Sequence, residues 1–268
     1  MMIKSFHFIP ANNDHFLEKC PQLQADAFIL DLEDAVSNEN KEKARQNVKQ
    51  LASDIPNCYV RINARETEHF EKDVELLQTI SEQISGIVIP KIGKPDTITL
   101  LREALQQSVS LLPLFEQFCD LKQADAILKA PEITYAGLGL EDMFQHIPYE
   151  NESLLELRKN VQSEFVLSCY ANNTFPIDVI ATERSNFNTY RDECHKARSM
   201  GFVGKFSIHP DQIDHINSIF KASKAEVRWA KMILAHAQEK DSGYTMHDDG
   251  VLTTPPKIKK ALNILNHE

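Results

Sequence analysis

Short apolar segments, rich in β-branched and aromatic residues, alternate along this chain with longer segments that have helical spacing. Eight such runs occur: SFHFIP from Ser5, DAFILDLED from Asp26, CYVRIN from Cys58, GIVIPK from Gly86, SLLPLFE from Ser110, EITYAGLGLED from Glu132, FPIDVI from Phe175 and GKFSIHP from Gly204. Apolar runs of this length predict buried strands. The 268 residues, divided among eight runs, give roughly 33 residues each, which is the length of one βα unit.

Helix signals fill the segments between the runs. Residues 41–51 are rich in helix formers, Pro95 stands where a helix over 96–107 would begin, and Ser223 to Glu226 reads as a capping box before AEVRWAKMILAHAQ. Strands that alternate with helices predict a parallel sheet. Eight units favour an α/β fold of the closed (β/α)8 TIM barrel type. The alternative is an open doubly wound sheet, which would need a glycine-rich fingerprint that Gly137 and Gly139 alone do not supply.

The C-terminal part of the chain has a different character. After residue 240 the sequence reads DSGYTMHDDGVLTTPP, and a last helical run, KIKKALNIL, follows. So few residues cannot form a core of their own. We therefore expect a TIM barrel catalytic domain over 1–240, and a C-terminal extension over 241–268 that packs on the barrel or on a neighbouring subunit.

Composition and charge narrow the class of function. Lys and Arg total 29 against 39 for Asp and Glu, a formal charge of −10, which argues against nucleic-acid or anionic membrane partners and favours a small-molecule substrate. The five cysteines are odd in number and widely spaced, so we expect neither a disulfide framework nor a cysteine metal site. No window approaches a membrane span and no signal peptide is recognisable. The predicted location is cytoplasmic.

Polar residues at the strand ends are the candidates for chemistry, because the active site of a TIM barrel lies at the carboxyl ends of its strands. These residues are Asp31, Glu33, Asp34, Arg61, Asn63, Lys91, Glu116, Glu141, Asp142, Asp178, Ser207 and His209. Several carboxylates without a histidine or cysteine cluster suit Mg²⁺ or Mn²⁺. We expect a site with two carboxylate ligands, completed by water and substrate.

Each of these residues also has a purely structural interpretation. A strand-end carboxylate is often a helix cap. Arg61 either pairs with Asp31 or Glu33, or it stabilises a developing oxyanion and binds a substrate carboxylate. Lys91 is either the Schiff-base lysine of a metal-independent aldolase or a member of a structural ion pair. His209 is either a capped loop residue or a substrate contact.

Several strings, taken together, resemble the citrate lyase β-subunit-like (CitE-like) acyl-CoA lyase branch of the HpcH/HpaI aldolase family. They are FHFIPANN, ADAFILDLEDAVSNENKEKAR, YVRIN, GIVIPKIGKPD, LLPLFE, YAGLGLEDM and GFVGKFSIHPDQI. The resemblance implies a TIM barrel, usually assembled as a homo-oligomer (trimer or hexamer). It also implies a Mg²⁺-dependent carbon–carbon lyase that acts on a citryl, malyl or citramalyl substrate and releases a 2-oxo acid.

The same resemblance implies roles for individual residues. Glu116 in LLPLFE and Asp142 in GLGLED correspond to the Mg²⁺ ligands, and Arg61 in YVRIN faces the substrate oxygens. Glu33 and Asp34 take part in catalysis by holding metal-bound water. The substrate pocket is lined by Arg61, Glu116, Glu141, Ile208 and His209.

Two positions depart from the family pattern. Where the family commonly reads FVPGNRP, a segment associated with coenzyme A, this chain has Ala11, Asn13 and Asp14. Thr254 stands where the family has an acid/base aspartate in a D-G-K-M-V-D-x-P pattern that here begins at Asp249. Three alternatives therefore stay open: a lyase for thioesters, a lyase for free hydroxy acids, and a non-catalytic protein that binds a 2-oxo acid.

Overall fold

Eight parallel strands form a closed barrel in the order in which they occur along the chain. The computed structural model describes residues 2–105, 109–148, 152–181, 187–239, 244–246, 250–266 and 268. The barrel strands are β1 (Ser5–Pro10), β2 (Ala27–Asp31), β3 (Cys58–Arg61), β4 (Gly86–Ile89), β5 (Ser110–Phe115), β6 (Tyr135–Leu138), β7 (Phe175–Asp178) and β8 (Gly204–Ser207). Pairing of β1 with β8, from Ser5 opposite Lys205 to His7 opposite Ser207, closes the barrel. The predicted TIM barrel is confirmed.

Helices follow the strands, as the alternation of patterns predicts. They are α1 (Asp14–Lys19), α2 (Lys41–Leu51), α3 (Phe70–Ile80), α4 (Asp96–Leu105), α5 (Phe118–Lys122), α6 (Ala124–Leu128), α7 (Leu140–Phe144), α8 (Glu152–Ala171), α9 (Phe187–Met200), α10 (Pro210–Phe220), α11 (Lys224–Glu239) and α12 (Pro255–Asn266). The helix predicted over 96–107 corresponds to α4, and its last two residues lie outside the described part of the chain. Before α11, Ser223 and Glu226 form the predicted capping box, with N···O distances of 2.7 and 3.2 Å.

Aromatic side chains fill the inside of the barrel. The Phe6 ring lies 5.3 Å from Tyr59, 5.5 Å from Tyr135 and 5.9 Å from Phe206, measured between ring centroids. These contacts join β1, β3, β6 and β8 across the interior. Side chains alternate along a strand, so His7, the next residue after Phe6, points away from this core. The His7 ring contacts Phe28 edge-on.

The chain divides into two compact units, Ile3–Asn217 and a second unit made of Ser218–Glu268 and the first two residues. In the second unit α11 packs on α12 through Ala230, Ile233 and Ala261, with Trp229 against this cluster. A short antiparallel pair, β9 (Thr245–Met246) and β10 (Leu252–Thr253), was not predicted. The expected boundary between residues 240 and 241 lies outside the described residues. Helix α11, which was expected to belong to the barrel domain, falls in the same compact unit as the C-terminal segment.

All five cysteines are free. Four of them are buried and Cys119 is exposed. None of the described helices is both long enough and apolar enough to cross a bilayer.

Candidate active site

A pocket of about 650 Å³ lies at the carboxyl ends of the barrel strands, within the Ile3–Asn217 unit. Its lining includes seven of the eight residues to which the family resemblance assigns a role: Asp34, Arg61, Glu116, Glu141, Asp142, Ile208 and His209. The eighth, Glu33, is buried beside the pocket and pairs with Arg61, which lines it. Parallel strands in a barrel bring these distant positions to one end, and we call this end the mouth.

Arg61, at the end of β3, is held by carboxylates on two sides. Its Nε and Nη2 donate to the two carboxylate oxygens of Asp31 at 2.7 and 2.6 Å, and its Nη1 lies 3.0 Å from Glu33 Oε2. The guanidinium also lies 4.8 Å from the centre of the Phe8 ring. Burial disfavours the guanidinium charge and lowers the pKa of Arg61, but the neighbouring carboxylates of Asp31 and Glu33 have the larger combined effect and raise it. Arg61 is therefore a fixed cation that both pairs with Asp31 and lines the pocket.

Glu116 follows β5 and is almost fully buried, with 5% of its surface exposed. The backbone N–H of Lys91 donates to Glu116 Oε2 at 2.9 Å. Burial raises the pKa of Glu116 to about 7, nearby Glu33 adds to the rise, and Arg61 opposes it. A β-carbon at Gly139 would lie only 2.6 Å from Glu116 Cγ. The carboxylate thus occupies space that the glycine leaves open.

Asp120 fixes the backbone around Glu116, a role that the sequence analysis missed. Asp120 Oδ2 accepts the backbone N–H groups of Glu116 and Gln117, both at 2.9 Å, and its Oδ1 accepts that of Gly93 at 3.2 Å. Asp120 is completely buried in the first turn of α5. Its spacing of three residues from Gln117, just before a helix, was the one available signal.

Asp142 and Glu141 lie in α7, directly after β6. The Asp142 side chain is 36% exposed, and its Oδ2 lies 3.9 Å from Lys91 Nζ. Glu141 is more exposed and lies 3.5 Å from Arg158 Nη1. Arg158 in turn stacks over the Phe144 ring. Asp142 is therefore the more enclosed of these two carboxylates.

Lys91, after β4, binds the Glu33 and Asp34 carboxylates. Its Nζ donates to Glu33 Oε1 at 2.7 Å and to Asp34 Oδ2 at 3.3 Å. Burial opposes the ammonium charge, but the bond to Glu33 and the surrounding carboxylates raise the pKa of Lys91. A Schiff-base lysine needs the opposite shift, so that its amine is neutral. The ion-pair interpretation of Lys91 is therefore favoured over the Schiff-base alternative.

Lys41, the first residue of α2, supports the loop that carries Glu33. Its Nζ donates to the backbone oxygens of Leu32 and Glu33 and to Asn63 Oδ1, at 2.6 to 2.7 Å. Lys41 is 5% exposed. A lysine within a run of helix formers gives no sign of such a role, and the sequence analysis did not find it.

Three polar residues at strand ends are used elsewhere. Asp178 forms a buried ion pair with Lys205 at 2.5 Å. Ser207 is hydrogen-bonded to His7 at 2.9 Å. The backbone and side-chain amides of Asn63 both donate to Asp73 Oδ2 at 2.7 Å. These three do not line the pocket.

The loop after β8 places Ile208 and His209 against the pocket. Gln212 Oε1 accepts both of their backbone N–H groups, at 2.9 and 3.2 Å. His209 Nδ1 accepts the backbone N–H of Asp211 at 3.3 Å. His209 is therefore a capped loop residue that also lines the pocket, so the two interpretations of it are compatible.

The two departures from the family pattern have local structural roles. Asn13 caps α1 by accepting the N–H of Phe16, and Asp14 pairs with Lys43 at 2.7 Å. Ala11 is fully buried. Thr254 accepts the N–H of Lys257 at 3.4 Å at the start of α12. Asp249, where the expected C-terminal pattern begins, lies outside the described residues.

The donor set at the mouth suits a hard cation. Glu116 and Asp142 offer oxygen ligands, and burial is the main reason that the pKa of Glu116 is raised. A divalent cation beside Glu116 would favour its ionised form and so offset the cost of burying the charge. Across the described ranges, no three His, Cys, Asp or Glu side chains are grouped to hold a metal. A cation held by Glu116 and Asp142 would take its other ligands from water and substrate.

Comparison with known proteins gives a consistent result. The family model described as HpcH/HpaI aldolase/citrate lyase matches residues 4–210. A citrate lyase subunit beta-like protein from Deinococcus radiodurans is 27% identical over 100% of this chain and 98% of its own length. An L-malyl-CoA/beta-methylmalyl-CoA lyase from Rhodobacter capsulatus is 29% identical over 95% and 91%. A (3S)-malyl-CoA thioesterase from Cereibacter sphaeroides is 27% identical over 98% and 91%.

A solved structure shares the fold. It is that of CitE from Mycobacterium tuberculosis in complex with magnesium, acetoacetate and coenzyme A, with a TM-score of 0.78 and 22% identity. The alignment covers 98% of this chain and 97% of that one.

Proposed function

Since this chain belongs to the HpcH/HpaI aldolase/citrate lyase family and is a carbon–carbon lyase, we propose that it requires Mg²⁺ and cleaves a small hydroxy acid carried as a coenzyme A thioester. The products would be a 2-oxo acid and a shorter acyl thioester. Its relatives include lyases for malyl-CoA and citramalyl-CoA.

The observation that carries the proposal is the position of Glu116. This carboxylate is 5% exposed, lines the pocket, and shares the mouth with Asp142 and with the fixed cation Arg61. Glu116 and Asp142 would hold the Mg²⁺. The relative from M. tuberculosis was crystallised with magnesium, which supports this choice of cation.

Arg61 is positioned to stabilise negative charge on the substrate. A guanidinium has five N–H donors, and two of those on Arg61 bond to Asp31 while a third faces Glu33. The remaining donors can bind a carboxylate or the oxygen that gains charge as the carbon–carbon bond breaks. Mg²⁺, when bound, supplies Lewis-acid polarisation of the substrate oxygens. Asp31 keeps the guanidinium plane fixed, so little reorganisation is needed during the reaction.

The size and lining of the pocket support a thioester substrate. A volume of about 650 Å³ exceeds what a small hydroxy acid would fill, and the lining extends to the apolar side chains of Phe16 and Leu23 and to Lys19. An apolar lining together with an exposed lysine suits a thioester arm that ends in phosphates. Lys19 can thus supply the positive charge that Asn13 does not.

A product assay tests the proposal. Malyl-CoA, citramalyl-CoA, citryl-CoA and their free acids are each incubated with Mg²⁺ or with chelator, and both 2-oxo acid and free coenzyme A are measured. We expect Mg²⁺-dependent release of a 2-oxo acid from at least one thioester. Release of free coenzyme A without a 2-oxo acid would show hydrolysis, as in the thioesterase relatives. Turnover that is insensitive to chelator would contradict the metal requirement.

A further inference from the structure

Lys91 contacts four carboxylates at the mouth, three through its side chain and one through its backbone N–H. Its Nζ lies 2.7 Å from Glu33 Oε1, 3.3 Å from Asp34 Oδ2 and 3.9 Å from Asp142 Oδ2. Its backbone N–H bonds to Glu116 Oε2. One residue therefore contacts both carboxylates of the proposed cation site and two further carboxylates beside it.

The backbone at Lys91 is unusual for a residue with a side chain. Its φ is 44°, in the left-handed region, which costs a residue such as lysine about 1 to 2 kcal/mol. In that conformation the N–H meets Glu116 while the side chain meets Glu33. Strain of this kind persists where the surrounding contacts fix it, and it is concentrated at functional sites.

We propose that Lys91 is a positioning residue whose ammonium keeps the Glu33 and Asp34 carboxylates out of the cation site, so that a divalent cation is left with Glu116 and Asp142. The inference rests on the proposed Mg²⁺ requirement and deepens it. Glu33, whose side chain is 5% exposed, is enclosed between Lys91 and Arg61. Asp34 is more exposed and would otherwise be free to turn toward a metal ion.

The positive charge of Lys91 determines whether cation affinity should rise or fall when this side chain is replaced. An ammonium within 4 Å of Asp142 repels a divalent cation bound there, and it occupies two carboxylates that could also bind the cation. Removing the ammonium should strengthen cation binding on the order of tenfold, even with water-like screening. If Lys91 only held the ligands in place, its removal would weaken binding instead.

The experiment measures binding of Mn²⁺ alone to the intact protein, with free Mn²⁺ followed by electron paramagnetic resonance. The variants are Lys91→Met, which removes the charge and keeps the length, and Lys91→Asn, whose short polar side chain tolerates a left-handed φ. Lys94→Met is the matched control, because it removes one positive charge from the same loop at an exposed position. Circular dichroism establishes that each variant is folded.

We expect both Lys91 variants to bind Mn²⁺ on the order of tenfold more tightly, Lys94→Met to bind like the wild type, and Lys91→Met/Glu33→Gln to return toward wild-type affinity. Unchanged or weaker binding in both Lys91 variants would overturn the proposal for Lys91 and leave the Mg²⁺ requirement intact. Equally tight binding in the double variant would overturn the role of Glu33. If the wild-type protein bound no Mn²⁺, the proposed cation site itself would be wrong.

Discussion

At the scale of single residues, the missing side chain of Gly139 leaves the space that the Glu116 side chain occupies. Gly139 has a φ of −123°, which any residue adopts, so an alanine would not strain the backbone. The added β-carbon would instead lie 2.6 Å from Glu116 Cγ. We expect Gly139→Ala to displace the carboxylate and weaken Mg²⁺ binding on the order of tenfold, which corresponds to about 1.4 kcal/mol.

Calorimetric titration with Mg²⁺ measures this effect. The matched control is Gly137→Ala, whose β-carbon would meet Leu114 and Phe206 at 2.5 Å and not Glu116. Both variants should lose stability through overpacking, by about 1 to 3 kcal/mol. Only Gly139→Ala should lose Mg²⁺ affinity, and equal losses in the two variants would show that the effect is general.

Asp142 gives a second prediction at this scale, because its side chain is partly exposed. Asp142→Asn keeps the shape and removes the charge, so we expect Mg²⁺ binding to be lost while the free energy of unfolding changes by about 0.5 kcal/mol or less. Asp54→Asn is the control, since Asp54 precedes β3 and is exposed at the other end of the barrel. Calorimetry and urea unfolding measure the two quantities. Full Mg²⁺ affinity in Asp142→Asn would remove Asp142 from the proposed site.

The sequence predicted the charged residues of the mouth and offered Asp31 and Glu33 as partners of Arg61, but it did not predict the residues that support Glu116 and Glu33. Strand-end position was sufficient to find Arg61, Glu116 and Asp142, because a parallel barrel brings all strand ends to one side. Position along the chain gave only the capping-box spacing as a signal for Asp120, and it gave none for Lys41, whose ammonium bonds to the loop that carries Glu33. Burial and direction of a side chain depend on the packed structure.

At the scale of elements, the turn from β5 into α5 holds the site in shape. Asp120 accepts three backbone N–H groups, from Gly93, Glu116 and Gln117, and so joins the ends of β4 and β5. In Asp120→Asn one side-chain oxygen becomes an amide that faces N–H donors. We expect a loss of about 1 to 3 kcal/mol in the free energy of unfolding, together with weaker Mg²⁺ binding because Glu116 is no longer fixed.

Urea unfolding and calorimetry test this prediction. Asp125→Asn is the matched control, because Asp125 lies in the first turn of α6 and is exposed. We expect Asp125→Asn to change the unfolding free energy by about 0.5 kcal/mol or less. Similar losses in both variants would mean that Asp120 contributes no more than an ordinary first-turn carboxylate.

Elements were predicted well where a single pattern determined them. Each of the eight apolar runs contains one barrel strand, and the segment 41–51 corresponds to α2. The short helices α5, α6 and α7 and the β9–β10 pair were missed. One or two turns give no helical periodicity, and a two-residue strand is specified by its partner and not by its own sequence.

At the scale of the whole molecule, the barrel exists only because β8 returns to β1, and a histidine lies at that junction. His7 and Ser207 are opposite each other in the β1–β8 pairing, and their side chains are hydrogen-bonded at 2.9 Å. His7 is 4% exposed. Burial, with a contribution from nearby His209, lowers the pKa of His7 from 6.5 to about 4. The junction therefore contains a neutral imidazole at physiological pH.

Stability should fall as this histidine becomes protonated in the unfolded chain. Between pH 6.5 and 4 the unfolded state binds the proton and the folded state does not, so unfolding becomes easier as the pH falls. From the two pKa values, His7 should cost about 2 kcal/mol of stability at pH 5 relative to pH 8. His7→Asn removes the titrating group, so its stability relative to wild type should improve by this amount on acidification.

Urea unfolding at pH 8 and pH 5, with chelator present to remove cation effects, measures the shift. His15→Asn is the control, since it removes a histidine from an exposed position. On acidification, His7→Asn should gain more stability relative to wild type than His15→Asn does. A constant difference for His7→Asn would mean that the β1–β8 junction accepts a charged imidazole, and acid sensitivity of the barrel would then have to come from another buried group.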